Sequence, residues 1–490
     1  MSYEVLFIVS SIIVLIGGLL FINIVINKTK IQAEIFRKFL HIVAGLISIL
    51  ALSVVKNEYI LVIISFFITL LLLIIKHKKV KYLEITNGMI SFSFAYTILL
   101  IFFGNIYREI VGISIFILTI SDSAAAILGS SLSTNNYNIS GDKKSFIGSF
   151  SFFISTFLLL LLVPVYTHIF SVLTYDLTLN VVVAFVLSLQ LTLIEAISGK
   201  GYDNFFIPLY AAYFLFLLIN PVNTLLIDYM LIGIVLSTIV VLLSIKARFL
   251  TISGGVATFL LANIIFGLGG IKWTVPILTF FVLSSLLSKM KSNNKEKAEL
   301  YYEKTGVRDY KQVFANGGIP GILLMLNTVK PDELFFLMYI VFLATVCSDT
   351  WSTEIGTFIK TNTYNVINFK LIPPGMSGGI SFIGTIGGIT GSIVITLVSF
   401  SFTSYNLFYF FLIILISSFL GNISDSILGA TIQGGYNCSI CNKSTERRDH
   451  CGKPSIITKG YKLITNDIVN LFAGFLSIFY SLIIYYLIFI

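Results

Sequence analysis

The chain has 490 residues, 57% of them hydrophobic and only 11% charged, with a formal net charge of +9. A soluble domain carries about 25% charged residues, so this composition excludes a surface that faces water throughout. The positive balance sits in short stretches between apolar runs, which points to membrane topology rather than to nucleic acid.

The first apolar run, Val5 to Ile26, has no basic flank and no small-residue cleavage site, and reads as a retained helix rather than a signal peptide. Further spans are expected to start near residues 39, 60, 88, 110, 146, 178 and 205. After the turn-like Asn220-Pro221-Val222-Asn223, others follow near 225, 250, 273, 313, 334, 377, 406 and 467. The expected fold is an all-α polytopic membrane protein of about 16 transmembrane helices, each run being long enough to cross about 30 Å of hydrocarbon. The spans fall into two eight-helix blocks, 1–220 and 221–490, the second interrupted by long loops at 289–312 and 434–466. With both termini outside, only Lys56, Arg108, Lys272 and Lys330 of the 32 basic residues lie outside. Cytoplasmic loops carry the basic excess, so the polar chemistry is expected on the cytoplasmic side. The abundance of Ile, Asn, Lys and Phe points to a prokaryotic cytoplasmic membrane.

The two blocks share an ordered set of residues. Ser121-Asp122-Ser123, Gly129 and Ser145-Phe146-Ile147-Gly148-Ser149 in the first answer to Ser348-Asp349-Thr350, Gly356 and Ser381-Phe382-Ile383-Gly384-Thr385 in the second. Glu195 and Asp203-Asn204 then answer to Asn422, Asp425, Asn466-Asp467 and Asn470, so an ancient duplication is expected.

Acids inside spans are costly, about 2.5–3.5 kcal/mol even on lenient scales, and by default mark a functional site. Asp122, Glu195, Asp349, Glu354 and Asp425 lie in or at the ends of apolar runs, with small neighbours such as Ser123, and few basic residues are at hand to pair with them. Carboxylates of this kind suit Mg²⁺, which takes one or two of them together with water and substrate phosphates. Candidate phosphate partners are the Gly141-Asp142-Lys143-Lys144-Ser145 loop, which leads into a helix start, and the glycine-rich Pro373-Pro374-Gly375-Met376-Ser377-Gly378-Gly379. The first of these reads equally as an ordinary positive-inside loop, and the glycines that follow the second read equally as helix packing. Arg37, Lys38 and His41 share one helix face and either clamp a phosphate or snorkel to the interface. Cys438-x-x-Cys441 with His450-Cys451 has the spacing of a small Zn²⁺ knot, although adjacent His and Cys rarely both ligate, and Cys347 reads as an apolar filler.

These residues carry two resemblances. Arg37-Lys38-x-x-His41, Asp122 to Gly129, Lys143-Lys144-Ser145-x-x-Gly148-Ser149, and Glu195 followed by Asp203-Asn204 resemble the CTP-dependent polyprenol kinases, which share relatives with the phosphatidate cytidylyltransferases. Ser130-Ser131 stand where those enzymes carry an Arg or Lys. Gln312 to Gly318 (with Asn316), Ser348-Asp349-Thr350-Trp351-x-x-Glu354-Ile355-Gly356, Gly378 to Thr385, Asp425 to Gln433 and Asn466-Asp467-x-x-Asn470 resemble a family of membrane proteins that includes the chloroplast phytyl-phosphate kinase.

The resemblances imply two successive phosphorylations, of an isoprenoid alcohol and then of its monophosphate, with CTP or another nucleoside triphosphate and Mg²⁺. In that scheme Asp122, Glu195 and Asp203 hold metal or position the first acceptor, and Lys143 and Lys144 neutralise phosphate. Asp349, Glu354, Asp425 and Asp467 serve the second step, with Gly375, Ser377, Gly378 and Gly379 cradling phosphate, and Ser123, Ser145, Gly148, Asn204, Asn316 and Asn470 assisting. The expected partners are a membrane isoprenoid and a nucleotide, and no nucleic acid. A cytidylyltransferase making a CDP-lipid and a transporter remain as alternatives.

Overall fold

The computed structural model describes all residues except 1–2, 27–29, 79–84, 133–134, 167–176, 220–223, 299–305, 443 and 490. It divides into two compact units, Met1–Ile227 and Asp228–Ile490.

The first unit contains α1 (Tyr3–Ile26), α2 (Lys30–Val54), α3 (Glu58–His77), α4 (Asn87–Phe103) and α5 (Arg108–Leu132). A hairpin of β1 (Asn136–Asn138) and β2 (Lys143–Ser145) leads into α6 (Phe146–Tyr166), α7 (Leu177–Ile197) and α8 (Asp203–Leu218). Helix α5 is the spine of this unit. Its Ile110, Val111, Ile115 and Leu118 are fully buried, and it passes through a π turn over Leu118–Asp122. Such a turn widens the helix by one residue and recurs at functional sites. Asp122 closes it. Serine and threonine hydroxyls join α3 to α4, with Thr69 2.8 Å from Ser93 and Thr97 donating to Ser65 at 3.0 Å. Arg108, read as one of the few outer basic residues, donates to the carbonyls of Gly104, Leu52 and Val55 at 2.9–3.1 Å.

Helix α9 (Thr224–Lys246) starts just before the boundary, and the second unit also contains α10 (Ile252–Lys289), the short α11 (Asn293–Ala298), α12 (Tyr310–Val329) and α13 (Glu333–Phe358). A three-stranded sheet of β3 (Thr363–Asn365), β4 (Leu371–Ile372) and β5 (Gly379–Ile380) precedes α14 (Phe382–Phe400) and α15 (Leu407–Thr431). A lobe of β6 (Gly435–Asn437), β7 (Ser444–Thr445), β8 (Asp449–His450), β9 (Lys453–Pro454) and β10 (Ile456–Lys459) precedes α16 (Asn466–Phe489). Helix α13 is buried continuously from Phe336 to Ser348. The glycine face of α14 lies against it: a Cβ on Gly387 would come within 2.9 Å of Ile355 Cβ, and one on Gly391 within 3.1 Å of Cys347 O. These glycines therefore pack helices closely. Cys347 is buried among the same side chains.

Side-chain caps set the helix starts. Thr251 accepts from Gly254 N–H at 3.1 Å and Ser381 from Gly384 N–H at 3.1 Å, and Asp309 forms a reciprocal capping box with Gln312. Among the described residues 11 helices are long and apolar enough to cross a membrane, with Asn87–Phe103, Phe146–Leu162 and Asp203–Leu218 as shorter apolar stretches in α4, α6 and α8. The spans read from the sequence also include α12, and they divide α10 in two. That helix breaks at Gly270, whose φ of 58° and ψ of −152° suit glycine.

Candidate active site

In the first unit the acids and bases singled out above converge, but as ion pairs. Lys38 Nζ lies 2.6 Å from Asp122 Oδ2, and His41 Nε2 lies 3.7 Å from the same oxygen. Lys144 Nζ lies 2.7 Å from Glu195 Oε1 and 3.5 Å from Asp203 Oδ2. Ser149 donates to the second Glu195 oxygen at 3.1 Å. The expectation that these acids lack basic partners is therefore corrected. Lysines reach them from a neighbouring helix and from the hairpin, and the position a metal would take beside Asp122 is held by an ammonium. Burial works against the Lys144 cation, but Glu195 and Asp203 outweigh it and hold the amine above the ordinary lysine range. Lys143 is exposed on β2, whereas Lys144 beside it is half-buried against Glu195 and Asp203. Ser123 is buried, Arg37 is half-buried, and Asn204 donates to Gly88 O at 3.1 Å, tying α8 to the start of α4.

The second unit holds a cavity of about 280 Å³. Asn316, Asp349, Glu354, Gly375, Ser377, Gly378, Gly379, Asp425, Asp467 and Asn470, the residues of this half proposed for nucleotide or catalysis, all line it. Asp349 and Asp425 come from the C-terminal parts of α13 and α15 and lie close together. Neighbouring carboxylates of this kind suit a divalent cation. Among the described residues no salt bridge reaches either acid. With its amide turned so that the nitrogen faces Asp425, Asn470 donates to that carboxylate at 3.0 Å, and Asn422 donates to Ser348 and Ser352 at 3.1 and 2.8 Å. The starts of α12, α14 and α16 also border the cavity through Gln312, Ser381 and Asn466. Helix starts present free N–H groups and a partial positive charge, which favour anions.

Glu354 departs from the expectation. Its oxygens are taken by Lys295 Nζ and by the Ser288 hydroxyl, each at 2.5 Å, so it is an ion-pair partner in the cavity wall. Lys295 also donates to Ser288 O at 2.7 Å and Met290 O at 3.2 Å, closing the end of α10. Lys295, on the short α11, escapes sequence reading because its charge looks like ordinary positive-inside charge. Arg308 was hidden in the same way. Its guanidinium donates to Ser285 at 3.1 Å beside the rings of Phe280 and Phe281, and burial brings its pKa down to about 10. Gly375 and Gly378 adopt φ of 90° and 84°, so the Pro373–Gly379 turn depends on glycine, and Glu446 from the cysteine-bearing lobe accepts from Ser377 N–H at 3.0 Å.

That lobe gathers Cys438, Cys441, His450 and Cys451 with ligand atoms within 4.8 Å of one another. Adjacent His450 and Cys451 both belong to the cluster, contrary to expectation, where Cys451 and Gly452 turn through φ of 53° and 76°. Backbone N–H groups of Cys441 and Ile440 bring the Cys438 thiol down to about 6, while burial and the two other thiols push Cys451 up to about 11. A four-ligand thiolate-imidazole set of this size fits Zn²⁺.

The repeated motif has the same local geometry in both units. A Cβ on Gly129 would lie 2.7 Å from Ser145 Oγ and 3.2 Å from Gly148 Cα, and one on Gly356 would lie 3.0 Å from Ser381 Oγ and 3.1 Å from Gly384 Cα. In each unit the next strand also begins seven residues after the first glycine, at Asn136 and Thr363.

Fold and cavity together define a multi-pass integral membrane protein with an acid-lined polar site in its second unit. Residues 235–478, within that unit, match the family described as Integral membrane protein DUF92. Protein PGR of Arabidopsis thaliana is 28% identical over 277 residues, 50% of this chain and 93% of the relative. Uncharacterized membrane protein MJ0933 of Methanocaldococcus jannaschii is 30% identical over 191 residues, 38% and 76% of the two chains. Protein VTE6, chloroplastic, of Arabidopsis thaliana is 25% identical over 232 residues, 45% and 61% of the two chains. No solved structure matches. The chain belongs to the DUF92 family of integral membrane proteins.

Proposed function

We propose that this protein is a membrane phosphotransferase that phosphorylates an isoprenoid alcohol to its monophosphate and then to the diphosphate, with CTP or another nucleoside triphosphate as donor. The observation that carries the reading is the Asp349–Asp425 pair, free of ion-pair partners among the described residues, in one cavity with the Gly375–Gly379 turn and three helix starts. Phosphoryl transfer needs this combination, because catalysis rests on alignment and on neutralising charge at the transferred group.

Asp349 and Asp425 fit Mg²⁺, which would supply charge neutralisation between donor phosphates. The N–H groups of the glycine turn and of the α14 start would hold phosphate oxygens, and Arg308 adds a cation to the same wall. An oxygen of the lipid monophosphate attacks the γ-phosphorus, the bond to the bridging oxygen breaks, and the nucleoside diphosphate leaves. The lipid tail would enter between helices from the bilayer. In the first unit the lysine-paired acids do not fit a metal site. There Asp122 and His41 would position the acceptor hydroxyl and take its proton, with Lys38 holding the donor phosphate. The distribution of Lys and Arg supports a cytoplasmic position for both sites.

The test is product analysis. The purified protein in lipid vesicles is given labelled CTP or ATP, Mg²⁺, and either a prenol or a prenyl phosphate. Release of nucleoside diphosphate with a newly phosphorylated lipid supports the reading. Release of pyrophosphate with CMP retained on lipid would instead make this a cytidylyltransferase, and flux of a solute without nucleotide turnover a transporter.

A further inference from the structure

The segment between α15 and α16 contributes one carboxylate to the cavity. Glu446 accepts from Ser377 N–H at 3.0 Å and also from the Ser377 hydroxyl. Ser377 belongs to the glycine turn, and Gly378 beside it is pressed onto α15, where a Cβ would come within 2.5 Å of Ala430 Cβ. The turn is thus fixed on one side by a helix and on the other by Glu446. Along the chain Glu446 lies between the two halves of the thiolate cluster, Cys438 and Cys441 after β6 and His450 and Cys451 at the β8–β9 turn.

We propose that Cys438, Cys441, His450 and Cys451 bind one Zn²⁺, and that this ion holds Glu446 against Ser377, so that the lobe is a metal-dependent wall of the acid cavity. The cluster has the dimensions of a tetrahedral site. His450 Nδ1 lies 3.2 Å from Cys451 Sγ and 3.6 Å from Cys441 Sγ. Zn–S and Zn–N bonds of about 2.3 and 2.0 Å place ligand atoms roughly 3.5–3.8 Å apart. Ile440 N–H donates to Cys438 Sγ at 3.4 Å, a contact that supports a thiolate at the first position of a Cys-x-x-Cys turn. Strands β8 and β9, which flank the His450–Cys451 turn, form a two-stranded sheet of their own with two residues in each strand, and a hairpin of that size does not stand alone in water. A cross-link between the two turns supplies what a small core cannot. In a reducing compartment a metal serves where a disulfide would not persist. The inference concerns the shape of the cavity and holds whatever reaction occurs there.

The experiment uses the full chain in detergent. Elemental analysis should find about one Zn²⁺ per chain. Cobalt substitution should give thiolate charge-transfer and tetrahedral bands that are lost in Cys438→Ser and Cys451→Ser. Hydrogen exchange of the 373–379 and 434–466 peptides is then followed in zinc-loaded, chelator-stripped and zinc-restored wild-type protein. Stripping should raise exchange in both segments and restoring zinc should reverse it, while Glu446→Gln should keep its zinc yet exchange rapidly at 373–379 in either state. Protein purified with zinc available but holding none would overturn the site. So would a Cys451→Ser variant that keeps the full tetrahedral spectrum. Zinc-loaded protein whose 373–379 protection is indifferent to stripping would overturn the coupling to the cavity.

Discussion

Ser145 and Ser381 occupy the same place in two separate units. Ser145 ends a strand and Ser381 directly follows one, and each caps the helix that follows through the N–H three residues on and fills the gap left by a pair of glycines on facing helices. The serine oxygen stands 2.7–3.0 Å from where a Cβ on any of the four glycines would be, so neither side chain nor backbone has room to give. An inherited hairpin-to-helix module, kept in both halves, accounts for that coincidence better than separate origins.

Gly384→Ala should therefore destabilise the second unit by about 1–3 kcal/mol, the usual cost of overpacking a tight contact. Ser381→Ala should cost about 1 kcal/mol through loss of the cap. Thermal unfolding in detergent checks both, and an unchanged midpoint for Gly384→Ala would refute the close approach.

Asp349→Asn and Asp425→Asn should each lower conversion of prenyl phosphate to diphosphate at least a hundredfold, on the order expected when transition-state charge loses its support. Formation of the monophosphate should persist. Asp122→Asn should give the reverse pattern. Chromatography of labelled lipid products distinguishes the two, and a variant in which both activities fall together would contradict the division of labour.

The Lys295–Glu354 pair is nearly enclosed, with side chains 6% and 16% exposed. Removing one partner strands the other in a poorly solvated wall, so Lys295→Met or Glu354→Gln alone should cost about 3–5 kcal/mol. The double variant should recover much of the loss. A double-mutant cycle on unfolding free energy measures the coupling, and simple additivity would show that the two groups do not depend on each other.

Lys144 gives a sign for the pH dependence. Its folded amine lies above the ordinary value of 10.5, so its pairs with Glu195 and Asp203 contribute in full below that value and are lost as pH rises through the folded pKa. The first unit should lose stability on the alkaline side of the ordinary lysine range, and Lys144→Met should abolish that slope. Melting temperatures across that range, for wild type and variant, provide the check.

Much of this was legible in the sequence because a bilayer penalises exceptions. An acid in an apolar run stands out, and so do glycines spaced along one helix face, which is why Asp349, Asp425 and the Gly375–Gly379 turn could be named before they met around one cavity. What sequence reading missed are the partners that come from elsewhere in the chain. Lys38 lies 84 residues from Asp122, Lys144 lies 51 from Glu195, and Glu446 lies 69 from Ser377. Each of these sits in a stretch whose charge already had a sufficient explanation in topology, a loop or a metal knot, so local pattern offered nothing further.

The starts of α12, α14 and α16 all border one cavity. Much of the attraction an anion would feel there comes from peptide groups, which every residue type except proline supplies alike. Lining side chains are then free to drift over evolutionary time without erasing the potential, provided the helices keep beginning where they do. Chains sharing barely a quarter of their residues could retain the same anion trap, and divergence among them should show first in what the trap holds rather than in whether it exists.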